Sequence, residues 1–485
     1  MVTERVPVAV SRAILRATAI VGGASVLNIA IGILRNKVAA LLLGPAGVGI
    51  IGLLLNLVTM LASLAGLGVA MASVRALASA IDEPARAQVR RTVLELTTVL
   101  AIAGGVATWL LARPIARFGL GAVASGWQVG WLAPAVALTI WSSMQFGLLN
   151  GQRRLGDLAR AQVGGAALGS AFGIAALVAF GARGITAFVV AAPLGMVIIA
   201  ARYVGRAERA ARGAVPAAPG RPRARRFDAA TGRDLIRLGL PTMLGGLALP
   251  LGLLLIRAVL GDRLGAPALG QFTAAWTLSA TYVGFVLAAM GTDYFPRLSA
   301  VIAEHAVARK MVADQTEVAL LLALPVMLAV QATAPWLVRL LYSDAFAPTV
   351  TILRWQIAGD VLKLASWPLT FIVLAQGRGR LYWLVETLLM AVMVAAVWGL
   401  MPRFGLVATG IAYCLAYAIY LPVLLIAARR MIGFIPPRRT LAIAGLGFAG
   451  VVAIALVDQL SAPAATAFGI VLAAISAGGA FLRLR

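Results

Sequence analysis

Five cations interrupt stretches that are otherwise apolar: Arg35 and Lys37, Arg257, and Arg354 and Lys363. A cation at the centre of a membrane-crossing helix costs about 2.5–3.5 kcal/mol on insertion scales, so it favours an interior pathway over lipid. Guanidinium forks present paired N–H donors that fit phosphate oxygens, and lysine adds a compact positive charge. With cations outnumbering acids in these helices, the cargo this set could hold is an anion, a phosphate above all. Two simpler roles fit the same residues. Arg35 and Lys37 lie roughly 10–14 Å along a helix from Gly44, a depth from which long basic side chains extend to an interface, as Arg354 near the start of its span also could. Asp360 precedes Lys363 by three residues on one helical face, so an intrahelical ion pair would account for both. Among the acids, Asp293, Asp360 and Glu386 are candidates for coupling or gating, by exchanging a proton or pairing with a cation. Glu95 and Glu317, 222 residues apart, are read as acids near helix N-termini.

These residues need elements to carry them. The chain of 485 residues is 61% hydrophobic and 12% charged, which describes an all-α polytopic membrane protein. At about 20 apolar residues per crossing, it holds about fourteen transmembrane helices, and the continuous apolar runs exclude a β-barrel. Of the 42 basic residues, 31 fall on the even-numbered connections and termini, six on the other side and five inside spans. The positive-inside rule then places both termini in the cytoplasm and explains the +25 net charge without nucleic acid. One cysteine, Cys414, and one histidine, His305, provide neither a disulfide framework nor a metal site. The chain contains no P-loop, Gly-x-Ser-x-Gly or clustered Asp pair, so no cofactor is expected and an enzyme is disfavoured.

A repeat organises the spans. Leu43-Gly44-Pro45-Ala46-Gly47-Val48-Gly49 returns as Leu264-Gly265-Ala266-Pro267-Ala268-Leu269-Gly270, 221 residues later. The pairs Pro114/Pro335 and Gly184/Gly405 keep that offset, and Gly151/Gly377 match at 226. Arg257 precedes Gly265 by eight residues much as Arg35 precedes Gly44 by nine, which places both arginines at similar depth, as if lining a shared cavity. The expected organisation is an N-terminal lobe over 1–205, a basic cytoplasmic linker over 206–237, a C-terminal lobe over 238–430 and two additional helices over 431–485. Two six-helix lobes related by a parallel repeat favour a transporter that rocks around a central site. Residues 296–315 read as an interfacial helix on the inner leaflet, with Leu298, Val301, Ile302 and Val312 on one face and Val307 off it, and 85–91 as a shorter counterpart.

A first helix carrying Lys37 followed by Gly44-Pro45-Ala46-Gly47-Val48-Gly49, then the apolar run 53–79, is similar to the Wzx-type O-antigen and enterobacterial-common-antigen translocases. These belong to the multidrug/oligosaccharidyl-lipid/polysaccharide flippase superfamily. The resemblance implies a flippase that moves an undecaprenyl-diphosphate-linked oligosaccharide to the outer leaflet of a bacterial inner membrane. It also implies a cationic lumen, alternating access and an ion gradient as driving force. Its partners would be the lipid-linked diphosphate, membrane lipids and the polymerase or glycosyltransferase machinery, with no nucleic acid, and the chain would act as a monomer. Fourteen spans match the lipid II flippases of the superfamily, whereas Wzx proteins usually have twelve. A multidrug exporter would carry acids in its cavity, and a membrane glycosyltransferase or polymerase a large outer loop.

Overall fold

The computed structural model describes residues 8–80, 83–117, 125–213 and 228–484, with side chains except those of 8–21, 83, 210–213, 285–286, 288–293, 459, 462 and 484. Helices account for the described elements, in order α1 Val8–Gly66, α2 Val69–Ser79, α3 Glu83–Leu110, α4 Ala112–Arg117, α5 Gly126–Gly130, α6 Ala133–Gly151, α7 Leu155–Phe180 and α8 Ile185–Gly213. There follow α9 Ala229–Val301, α10 His305–Leu341, α11 Thr349–Ala375, α12 Gly379–Phe404, α13 Ala408–Ile432, α14 Arg438–Leu460 and α15 Ala462–Leu484. In hydrocarbon every backbone N–H and C=O needs a partner within the protein, which helices supply from their own turns.

Among the described residues, ten stretches are long and apolar enough to cross a membrane. Four of them, spanning 22–66, 155–209, 229–284 and 379–432, are 45 to 56 residues long. Each contains a break at a glycine with positive φ: Gly44 (62°), Gly181 (55°), Gly265 (79°) and Gly405 (53°). A side chain is strained at such φ, so a glycine there lets two apolar runs meet at a sharp change of direction.

The breaks carry the repeat. Gly44 and Gly265 share nearly the same backbone angles, with ψ of −167° and −179°. Gly181 (φ 55°, ψ −133°) matches Gly405 (φ 53°, ψ −134°), and both follow a phenylalanine. The turn after α6 also matches the turn after α11. Gln152 and Gln376 have φ/ψ of −84°/4° and −81°/3°, and Arg154 and Arg378 have −86°/58° and −82°/59°. Gly44/Gly265 keep the offset of 221, whereas Gly181/Gly405, Gln152/Gln376 and Arg154/Arg378 lie 224 residues apart, which corrects the expected pairings Gly184/Gly405 and Gly151/Gly377: the sequence matched glycines, whereas the backbone matches turns.

The chain divides into two compact units, one of residues 1–43 and 50–250, the other of 44–49 and 251–485. In the first, α7 packs along α8, and α6 contacts α2, α3 and α8. Gly165 lies so close to Met196 that an added Cβ would sit 2.8 Å from its Cα. Such small-residue contacts substitute for the hydrophobic drive that lipid removes. At the end of α3, Trp109 packs edge-on against Trp127 and Trp131, with centroids 6.3 and 5.8 Å away, the kind of cluster found at membrane interfaces. In the second unit, α11 packs on α13 and α10, and α14 and α15 pack on α10 and on each other. The two copies of the glycine turn meet here: a Cβ on Gly49 would lie 2.7 Å from the Ala266 carbonyl, and one on Gly270 would strike the Pro45 carbonyl.

Three local expectations are corrected. Helix α8 runs to Gly213 and α9 starts at Ala229, so the expected linker is helical at both ends, and its middle, 214–227, lies outside the described residues. No single interfacial helix spans 296–315, because α9 ends at Val301 and α10 begins at His305, and Leu298 and Val312 are buried within the protein. Residues 85–91 are the continuous start of α3. Since α3 and α10 begin at Glu83 and His305, Glu95 and Glu317 stand twelve residues inside. They are ion-paired instead, Glu95 with Arg91 at 2.9 Å and Glu317 with Arg439 at 2.8 Å.

Candidate functional site

In the first unit, α1 carries Arg35 and Lys37, both half-buried. The Arg35 guanidinium carbon lies 5.7 Å from the centre of the Phe188 ring on α8. Its Nε is buried without a hydrogen-bond acceptor, so the ring face supplies part of the compensation water would give.

In the second unit, Arg257 on α9 is 5% exposed. Its guanidinium carbon lies 5.7 Å from the Phe272 ring, which stands on the same helix beyond the Gly265 break. Each arginine of the sequence pair thus has a phenylalanine face beneath it. The sequence paired the cations but not their rings, because phenylalanine in an apolar run reads as core.

Lys363 and Asp360 on α11 do not form the direct ion pair that their spacing allows. The fully buried Asp360 carboxylate accepts hydrogen bonds from Ser279 Oγ (2.7 Å) and Tyr282 OH (2.5 Å) on α9 and from Tyr413 OH (2.7 Å) on α13. Lys363 Nζ donates to the same Tyr413 hydroxyl at 3.4 Å and stands 5.9 Å from the Tyr417 ring centre. Tyr413, Tyr417 and Tyr420 share one face of α13, with successive centroids 5.0 and 5.8 Å apart. At the far end of this ladder Tyr420 OH donates to Glu386 Oε1 at 2.7 Å. The tyrosines therefore connect the two acids Asp360 and Glu386 past Lys363. Their spacing, Tyr413, Tyr417, Tyr420, was a signal the sequence offered: three hydroxyls on one side of an apolar span.

Arg354, also on α11 and 3% exposed, is answered by an acid that sequence reasoning passed over. Its Nη1 pairs with Asp458 Oδ2 near the end of α14. On α10, Gln331 Nε2 donates to the Val451 carbonyl of α14 at 3.1 Å, and Thr466 Oγ1 of α15 donates to the Ala332 carbonyl at 3.2 Å. Arg354 thus takes part in fastening the two C-terminal helices to their unit. The side chain of Asp293 lies outside the described residues.

The first unit also holds a cavity of about 330 Å³ whose lining includes Thr59, Thr97, Thr139 and Thr242. Among the described residues no group of three or more His, Cys, Asp or Glu side chains could hold a metal ion. Cys414 is a buried free thiol.

Comparison with known proteins gives a consistent answer. The family described as "Polysaccharide biosynthesis protein" matches residues 14–302. Lipid III flippases of Escherichia coli (strain K12) and Shigella flexneri are each 25% identical over 410 residues, 82% of this chain and 93% of theirs. Among solved structures, the inward closed form of the lipid II flippase MurJ aligns with a TM-score of 0.73 at 13% identity, covering 97% of this chain and 99% of its own. An inward-facing multidrug transporter of the MATE family, from the same superfamily, aligns at 0.67 and 17% identity, covering 86% and 98%. At these identities the structural likeness speaks for the fold.

Proposed function

Because the chain belongs to the polysaccharide biosynthesis protein family, which matches more than half of its length, we propose that it is a flippase for a lipid-linked oligosaccharide. The cargo is a polyprenyl-diphosphate-linked repeat unit of O-antigen or a related polysaccharide, carried from the cytoplasmic to the outer leaflet of a bacterial inner membrane. The observation that carries this reading is the sign of the buried charge: Arg257 is 5% exposed inside an apolar span, over Phe272, with Lys363 in the same unit. A fold of this kind also serves multidrug export, so the fold does not select the cargo, whereas cations in the spans select an anion.

In the proposed cycle the span cations Arg35, Lys37, Arg257 and Lys363 are the candidate contacts for the diphosphate while the lipid tail stays in the bilayer. Guanidinium groups engage phosphate oxygens in paired hydrogen bonds. Binding can drive a change of state only if the two access states differ in affinity. Asp360, Tyr413 and Lys363 offer a way to create that difference. With Asp360 ionised, the Tyr413 proton points at the carboxylate and its oxygen receives Lys363. Protonation of Asp360, or a cation bound to it, removes that acceptor and changes the company of the ammonium. Glu386, joined through Tyr420, extends the same coupling chain, and Asp293 is retained as a third coupling candidate. Arg354 is assigned to holding α14 through Asp458.

The fourteen-span topology has both termini in the cytoplasm and each of the four glycine breaks as a turn between crossings. Deletion of the gene tests the function. Accumulation of lipid-linked glycan on the cytoplasmic leaflet is expected, and a change in drug susceptibility with normal glycan export would favour a drug exporter instead.

A further inference from the structure

The turn joining α6 to α7 contains one of two described non-glycine residues with positive φ, Arg153 at 56°. Its equivalent between α11 and α12 is Gly377 at 69°. Hydrogen bonding in the two turns is the same: Arg153 N to Asn150 O and Gly377 N to Leu374 O are both 2.9 Å, and Arg154 N to Leu149 O and Arg378 N to Val373 O are 3.0 and 3.1 Å. One architecture thus holds glycine in one copy, where the backbone is at ease, and arginine in the other, where it is strained. Strain of this kind persists where a side chain is needed.

What Arg153 borders is a recess of about 470 Å³ between this turn, the end of α2 and the start of α3. Arg86 and Arg90 of α3 and Gln152 complete its polar lining. Gly151 brings the turn against α2, where an added Cβ would come within 3.0 Å of the Leu77 side chain. The neighbouring cation Arg154 is neutralised by Asp157 at 2.7 Å. Arg153 is exposed and has no acidic partner among the described residues, and Arg90 meets Glu208 only at 3.9 Å. Three arginines from two segments, Arg86, Arg90 and Arg153, therefore line one concave space.

We propose that this recess binds the phosphate of a lipid headgroup at the cytoplasmic leaflet. Guanidinium forks suit phosphate oxygens, and the basic connections of the chain place this end toward the leaflet rich in anionic lipid. Two lipids present that chemistry, an anionic phospholipid and a polyprenyl diphosphate carrier. The inference rests on the recess and the charge bias and stands whichever cargo is transported.

The test is native mass spectrometry of the purified full chain in neutral detergent, titrated separately with phosphatidylglycerol, undecaprenyl diphosphate and phosphatidylcholine. Arg153→Gly places the residue its backbone prefers, and is expected to raise or preserve the melting temperature while weakening binding of a phosphate-bearing lipid about tenfold. Arg86→Gln, at an exposed position, is expected to weaken it similarly, and Arg202→Gln, an exposed cation of α8 outside the recess, to leave it unchanged. Preference for phosphatidylglycerol identifies a phospholipid site, and preference for undecaprenyl diphosphate a carrier site. Wild-type binding no tighter than to phosphatidylcholine, full binding by both recess variants, or an equal loss in Arg202→Gln would overturn the proposal. If Arg153→Gly lowers the melting temperature, Arg86→Gln alone decides.

Discussion

Lys363 meets Asp360 through the hydroxyl of Tyr413, which donates to the carboxylate at 2.7 Å and accepts from the ammonium at 3.4 Å. An acid and a base three residues apart on one helix are thereby joined by a third group on another helix. The connection between them depends on a single hydroxyl.

Tyr413→Phe removes that hydroxyl with little change in shape. It leaves Asp360 with two of its three donors, and a lost hydrogen bond to a charged group costs about 1.5–3 kcal/mol. A lower melting temperature in detergent is expected, together with loss of ion dependence in a proteoliposome flipping assay. Wild-type ion dependence in the variant would remove Tyr413 from the coupling chain.

Arg354 and Asp458 make a sharper stability prediction. Removing one partner of a buried pair leaves an uncompensated charge and costs about 3–5 kcal/mol, whereas replacing both by apolar residues is close to neutral. Asp458→Leu alone leaves the buried Arg354 guanidinium uncompensated and should lower the melting temperature strongly, and Arg354→Met with Asp458→Leu should recover most of it. Two additive losses in this double-mutant cycle would mean that the pair does not hold α14.

Sidedness is open to chemical labelling, since Cys414 is buried and the only native thiol. In a Cys414→Ala background, cysteines at Ala347 and Ser461 should react with a membrane-impermeant maleimide added outside intact cells. A cysteine at Ala230 should react only after lysis. The reverse pattern would invert the topology.

The sequence was legible where physics leaves few choices. Gly44 and Gly265 had to be found together, because a break of that backbone shape admits little but glycine, and the flanking motif is duplicated. The second half of the repeat slid out of register because Arg153 occupies the place of Gly377, so matching by residue type seized on Gly151 instead. The Asp360 hub was half visible: the acid and Lys363 stood out, but Ser279, Tyr282 and Tyr413 look like ordinary span residues until two other helices bring their hydroxyls to one carboxylate. Asp458 was missed because it lies near a helix end, where an acid needs no special account, and only packing of α14 on α11 reveals its partner.

The central claim is that buried cations carry the diphosphate of the cargo. In the deletion strain, lipid-linked glycan on the cytoplasmic leaflet should be cleared by the wild-type chain and, in part, by Arg257→Lys. It should persist with Arg257→Gln or Lys363→Gln when each variant is present in the membrane at wild-type level. Full clearance by both glutamine variants would contradict the account.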